Sequence, residues 1–177
     1  QFLTAQTNTC ICVQETAATD QTQRAINTHF RGAKWASAWS PPLPGRVANT
    51  ATWGQATGVM IAYGGALRPP AEPWQLPRQA ANRIVDALVW PRSDICADIV
   101  NIHGYQPTSV HQHQEATEDL LDVAVLRQVA RAHKYRIITG DLNFDTTKSG
   151  WASKLKAEGW RDLAMDYASQ NGLVLHM

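Results

Sequence analysis

No stretch of this chain approaches the roughly 18 consecutive apolar residues of a membrane helix, so no membrane-spanning role is expected. An excess of either charge is also missing. Sixteen lysines and arginines against 15 acids leave a formal net charge of +1, too little to argue for or against a polyanionic partner. Cysteine is scarce: Cys10, Cys12 and Cys96 leave one over in any pairing and show no C-x-x-C spacing. Cys10 and Cys12 share one face of a strand, where a disulfide between them would strain the backbone. Reduced core thiols are therefore expected rather than a redox or zinc role, together with a reducing compartment. The opening "QFLTAQTNTC" has neither the basic nor the apolar region of a signal peptide, and it lacks an initiating methionine. The chain is thus expected to begin inside a longer protein.

What is present suits a globular protein. Of 177 residues 44% are hydrophobic and 18% charged, and the length suits one domain with a sizeable core. Residues 8–14, "NTCICVQ", read as a short buried strand, and residues 16–30 leave helix and loop both open. Residues 34–55 are rich in Pro, Trp and Ser and read as a surface excursion; residues 67–78, with four prolines, read as a loop. Strands are expected at 57–65, 82–90, 95–103 and 136–139, with "PRSD" turning between the middle two. The clearest helix is 117–134, with Thr117 as its N-cap and Leu121, Val125, Gln128, Val129 and Ala132 near one face. A second helix is expected over 149–158, starting near Ser149, and "NGLVLHM" is a candidate further strand. Strands followed by helix, strand and helix indicate an α/β architecture.

Three strand ends carry residues able to do chemistry. Glu15 follows "CICVQ", His103 and Tyr105 flank Gly104, and Asp141 and Asn143 follow "RIITG". Alternation along an extended strand would turn Asp141 and Asn143 toward one point. Each has an ordinary explanation: a solvated glutamate, a turn with a half-buried aromatic, an Asx turn. The histidines of "HQH" at 111–113 have no partner cluster and read as a surface loop.

In this order, however, the segments resemble the endonuclease/exonuclease/phosphatase superfamily. Its members include apurinic/apyrimidinic endonucleases, pancreatic-type DNases, LINE-type retrotransposon endonucleases, sphingomyelinases and inositol polyphosphate phosphatases. "QET" resembles the family's metal-binding glutamate motif, and "GDLN" its catalytic acid motif. "GWRDL" resembles the segment after the family's second helix, where Asp162 would be structural. The likeness runs from residue 8 to 177. It implies a four-layer α/β sandwich of two mixed β-sheets flanked by helices, incomplete here, as a single domain over 1–177.

The resemblance implies that Glu15 ligates Mg²⁺ or Mn²⁺, that Asp141 activates the nucleophile and that Asn143 orients it or the phosphate. "NIHGYQP" fits two branches. Abasic-site and retrotransposon endonucleases carry a tyrosine two residues before a proline, as Tyr105 stands to Pro107; DNases and sphingomyelinases carry a histidine, which His103 matches. The spacing and the preceding glycine favour Tyr105. The implied function is metal-dependent phosphodiester hydrolysis, first by a DNA endonuclease of repair or retrotransposon type, intracellular and nuclear. The alternatives are a phosphatase or phosphodiesterase acting on lipid or nucleotide phosphates, and an inactive relic or binding module.

Two parts of the family pattern have no counterpart. Only 14 residues precede Glu15, too few for the family's first asparagine-bearing strand, and Asn8 is wrongly placed for it. His176 is not preceded by aspartate, so the final Ser-Asp-His is unmatched. A fragment lacking both ends is expected, with exposed strand edges and poor solubility. Little or no turnover is therefore predicted for this polypeptide. Robust Mg²⁺-dependent cleavage of abasic-site or supercoiled DNA, abolished by Asp141→Ala, would overturn that expectation.

Overall fold

Val59, Ile61 and Tyr63 are buried on one side of a short strand, and Met60 and Ala62 are buried on the other. Apolar burial on both faces places such a strand in an inner layer. A computed structural model shows the layers; it describes residues 9–42, 58–69, 72–106, 112–146 and 149–171. The chain divides after Leu142 into two compact units. In chain order the first contains β1 (Cys10–Val13), α1 (Asp20–Gly32), β2 (Ala36–Trp39), β3 (Met60–Tyr63), β4 (Ala66–Arg68), α2 (Arg78–Ala81), β5 (Ile84–Arg92), β6 (Ile95–His103), α3 (Gln112–Arg131) and β7 (Tyr135–Asp141). The second contains α4 (Gly150–Ala157) and α5 (Leu163–Gln170).

The first unit has two sheets. One is antiparallel, ordered β1-β3-β2; the other, ordered β4-β5-β6-β7, is antiparallel up to β6 and parallel between β6 and β7. Between them lies a core of Ala38, Val59, Ile61, Tyr63, Val85, Ala87, Val89, Ala97 and Ile99. Outside the first sheet, Phe30 and Ala33 at the end of α1 pack on Trp35, Met60 and Ala62. Outside the second, α3 buries Leu120, Leu121, Ala124 and Val125. Helix, sheet, sheet and helix make the four-layer α/β sandwich that the sequence implies.

Polar contacts fix α3 on the sheet. Gln128 is fully buried and donates to the carbonyls of Asp98 (2.8 Å) and Ile137 (3.2 Å). Asp86 and Asp98 point from the strands toward the same helix. Asp86 pairs with Arg127 at 3.0 Å and with Arg131 at 2.5 Å, and Arg131 also reaches Asp98 at 3.3 Å. Arg127 in turn lies over the Trp74 ring, 4.1 Å from its centroid.

Several expectations need correction. β2 lies in the stretch read as an excursion; its Ala-Ser-Ala-Trp has little strand propensity, and pairing with β3 makes the strand. Asn27 Oδ1 secures it, accepting from Ser37 Oγ and from Trp39 Nε1 at 2.8 Å. Residues 43–57 of that stretch lie outside the described residues. The loop expected at 67–78 opens as β4 and ends where α2 begins. The ambiguity over 16–30 resolves as α1, with Thr19 as its N-cap.

Helix α3 begins at Gln112, so Thr117 is inside it rather than capping it, and His113 lies in its first turn. Val129 is exposed, because the buried stripe runs through Leu120, Leu121, Ala124, Val125 and Gln128. The cysteines are free, but they are not core residues: Cys10 is exposed and the other two are half-buried. In the second unit, Ser149 caps α4, where the sequence places a helix start, and Asp162 caps α5, a helix the sequence did not indicate. The candidate strand in "NGLVLHM" falls almost wholly outside the described residues.

Because Asp86 neutralises two arginines in a largely dry layer, Asp86→Ala is expected to cost about 3 kcal/mol. Urea denaturation followed by circular dichroism checks this; a loss below about 1 kcal/mol, the range of an exposed pair, would refute it.

Candidate active site

Parallel pairing carries β6 and β7 to a common end. Ile102 stands opposite Gly140, and His103 opposite Asp141. Only glycine allows that approach: at Gly140 (φ 149°) a Cβ would lie 1.8 Å from the Ile102 carbonyl oxygen. One step on, Gly104 N–H donates to the Asp141 carbonyl at 2.7 Å, and a Cβ on Gly104 would meet the Leu142 carbonyl oxygen at 2.2 Å. The two strand ends are thus interlocked through backbone, and His103 and Asp141 leave them side by side.

The first sheet brings its acid to the same place. Asn101, fully buried, lies on the same face of β6 as His103, two residues before it. Its amide donates to the carbonyls of Val13 (3.1 Å) and Met60 (3.0 Å), and its oxygen accepts from Gln14 Nε2 at 2.7 Å. That side chain binds the end of β1 across the sandwich. The chain then turns sharply, with left-handed Glu15 (φ 55°) and Ala17 (φ 44°), and Thr16 N–H donates to the Gly58 carbonyl at 3.0 Å. The turn presents the half-exposed Glu15 carboxylate to His103, Oε1 to Nε2 at 3.4 Å. Gln106 Nε2 donates to the same Oε1 at 3.0 Å.

His103 is 1% exposed, and neither ring nitrogen makes a hydrogen bond among the described residues. Burial pushes its pKa below the ordinary imidazole value, and the nearby Arg83 guanidinium pushes the same way; Glu15 and Asp141 oppose both. The imidazole is neutral at pH 7. Tyr105 is turned elsewhere. Its N–H donates to Thr117 Oγ1 at 2.9 Å, and its ring lies under Arg83, 4.3 Å from guanidinium carbon to centroid. Arg83 also donates to the Gly104 carbonyl at 2.8 Å, so it clamps the segment after β6.

Of the residues expected from the sequence, Glu15, His103 and Asp141 come together, while Tyr105 sits beside them on Arg83. Asn143 is the first residue of the second unit and has φ 57°, so strand alternation does not carry past Asp141 to it. Asn101, Gln14, Gln106 and Thr117 were not anticipated; Asn101 had a signal, its spacing of two from His103. Among the described residues no group of three or more His, Cys, Asp and Glu side chains is arranged to hold a metal. A half-exposed glutamate beside the Gln106 amide nonetheless suits a hard cation that keeps most of its waters and takes one or two carboxylates.

No protein-family model and no curated protein matches the chain. Solved structures do. A humanized D. rerio TDP2 carrying 14 mutations superposes with a TM-score of 0.52 at 12% identity, covering 82% of this chain and 56% of that one. A beta toxin from Staphylococcus aureus gives 0.56 at 11% identity, covering 92% of this chain and 61% of that one. Both have the endonuclease/exonuclease/phosphatase fold, and at such identity the likeness shows architecture alone.

The environment of His103 makes a signed prediction. By NMR its imidazole should titrate below the ordinary value of about 6.5, lower still in Glu15→Gln and higher in Arg83→Gln. The unfolded chain takes up the proton first as pH falls, so stability present above pH ~6.5 should decline below it. His103→Gln should remove that decline; an imidazole titrating above 7 would contradict the whole arrangement.

Proposed function

We propose that this chain carries the reaction corner of a metal-dependent phosphodiester hydrolase, with DNA as the first substrate class. The observation that supports this is the convergence of Glu15, His103 and Asp141 from three strand ends and two sheets. The shared fold with the TDP2 and beta-toxin structures supports the reaction class. The chain spans 56% and 61% of those two proteins, so substrate and turnover are part of the proposal.

Glu15 is the residue to hold Mg²⁺ or Mn²⁺. When bound, such a cation offsets the phosphate charge and the charge developing on the leaving oxygen. Asp141, a carboxylate at the open strand end, takes a proton from the attacking water. His103, without a hydrogen-bond partner among the described residues, has in its neutral form one nitrogen able to donate to a phosphate oxygen and one able to accept. Gln106 holds the Glu15 carboxylate in place. Tyr105, held by Arg83 and Thr117, borders the site.

A second reading, hydrolysis of lipid or nucleotide phosphates, gains from the placement of His103 rather than Tyr105 against Glu15. It follows the histidine-bearing branch of the resemblance, which includes sphingomyelinases as well as DNases. A third, a non-catalytic binding module, retains phosphate binding without cleavage.

Substrate profiling at excess protein separates the three. Supercoiled plasmid, abasic duplex, sphingomyelin vesicles and inositol phosphates would be incubated with Mg²⁺, with Mn²⁺ and with chelator. Slow, metal-dependent nicking of DNA is expected, falling roughly 100-fold or more in Asp141→Ala and in Glu15→Gln, the scale of losing a general base or a metal ligand. Preference for sphingomyelin or inositol phosphate would favour the second reading. Binding of plasmid with no cleavage of any substrate would favour the third, and cleavage surviving chelation would exclude metal dependence.

A further inference from the structure

At the other end of β1 lies a pair of side chains that phosphodiester chemistry does not use. Cys10 and Cys12 alternate along the strand, so both project from the same face. Both are free, and the two thiols influence each other's protonation. Cys10 is exposed, whereas Cys12 packs against the apolar core between the sheets. One sulfur is reachable from water and the other sits where the dielectric is low.

The surroundings select the ligand. Tyr63 pairs with Cys10 and Ile61 with Cys12; beyond them Ala36 and Ala38 complete the same rows of the sheet. None of these supplies a carboxylate or an imidazole, and the one side-chain oxygen among them is the buried Tyr63 phenol, whose pKa burial pushes up, so a hard cation finds no anionic oxygen there from the paired strands. Two adjacent sulfurs in apolar surroundings match a soft, thiophilic ion instead. Cys96 is no third ligand, because it belongs to the second sheet. Residues two apart on a strand have Cα atoms roughly 6.6 Å apart, at the far end of the disulfide range. Direct S–S bonding needs the sulfurs about 2.05 Å apart, whereas an ion between them holds them wider. The geometry therefore favours insertion of an ion over oxidation.

We propose that Cys10 and Cys12 form a two-coordinate sulfur site for a soft monovalent cation of the Cu(I) type. The cation replaces both thiol protons, which leave to water; two metal–sulfur bonds form, and no electrons change hands. The neighbouring Cys12 thiol lowers the pKa of Cys10, while Cys10 and burial push that of Cys12 up, so release of the second proton is the costly step. Cys10 and Cys12 precede Glu15 by five and three residues, so this site shares β1 with the one above but no ligand.

The test uses the whole chain, reduced and anaerobic, titrated with Cu(I) against bicinchoninate as a coloured competitor. One equivalent should be withheld from the competitor, lost in Cys10→Ser and in Cys12→Ser, and kept in Cys96→Ser. Because Cys12 touches the core, folding of each variant is checked by circular dichroism. Maleimide labelling of the unaltered chain gives a readout independent of any variant: Cu(I) should protect Cys10 and Cys12 and leave Cys96 labelled. Retention of the equivalent in Cys10→Ser, its loss in Cys96→Ser, or full labelling of Cys10 and Cys12 in the presence of Cu(I) would overturn the proposal.

Discussion

A buried amide joins the two sheets at the end where the acids gather. Asn101 satisfies carbonyls on β1 and β3 from a position on β6, and Gln14 closes the remaining bond. Without it, the Val13 and Met60 carbonyls would lose a donor inside an apolar layer, at about 1–3 kcal/mol for each group left unpaired. Its consequence is geometric as much as energetic. Two sheets packed through apolar side chains alone resist sliding only weakly, because dispersion is non-directional. Three directed hydrogen bonds fix where β1 ends relative to β6, and hence where Glu15 meets His103.

Charge is sorted by face along the same strands. On β6, Asp98 points to α3 and meets Arg131, while Asn101 and His103 point between the sheets, where no arginine neutralises them. The helix-facing charges are matched and hold a layer together. The inward-facing imidazole, without a hydrogen bond among the described residues and with its pKa held down by burial, lies beside the Glu15 carboxylate. Paired charge is structural here, and the candidate reaction groups lie at the strand ends.

Long apolar periodicity made β5, β6, β7 and α3 legible in the sequence, because their patterns persist over seven residues or more. β2 and β4 were hidden, since three or four residues of Ala, Ser, Leu, Arg and Trp carry no period and owe their form to a neighbouring strand. The site was legible as residue types at strand ends: Glu15, His103 and Asp141 could be named before any contact was known. Asn101 was not, because a polar residue inside a buried strand looks like a breach of pattern until its partners on another sheet are seen. Strand alternation could not place Asn143 from sequence, because its backbone is left-handed (φ 57°) and no longer extended.

Gly104 and Gly140 blur the usual line between scaffold and catalytic machinery. Each is held against a carbonyl that any side chain would strike, and each adjoins a residue of the reaction corner. A saturation scan scored by activity would therefore place both beside Asp141 in intolerance, although neither has a side chain with which to act. Only a parallel score for folded abundance would separate positions that do chemistry from those that merely let two backbones touch. For the same reason, evolutionary drift at this corner is confined to its rim: the distance between His103 and Asp141 cannot be retuned without unzipping the strands that set it.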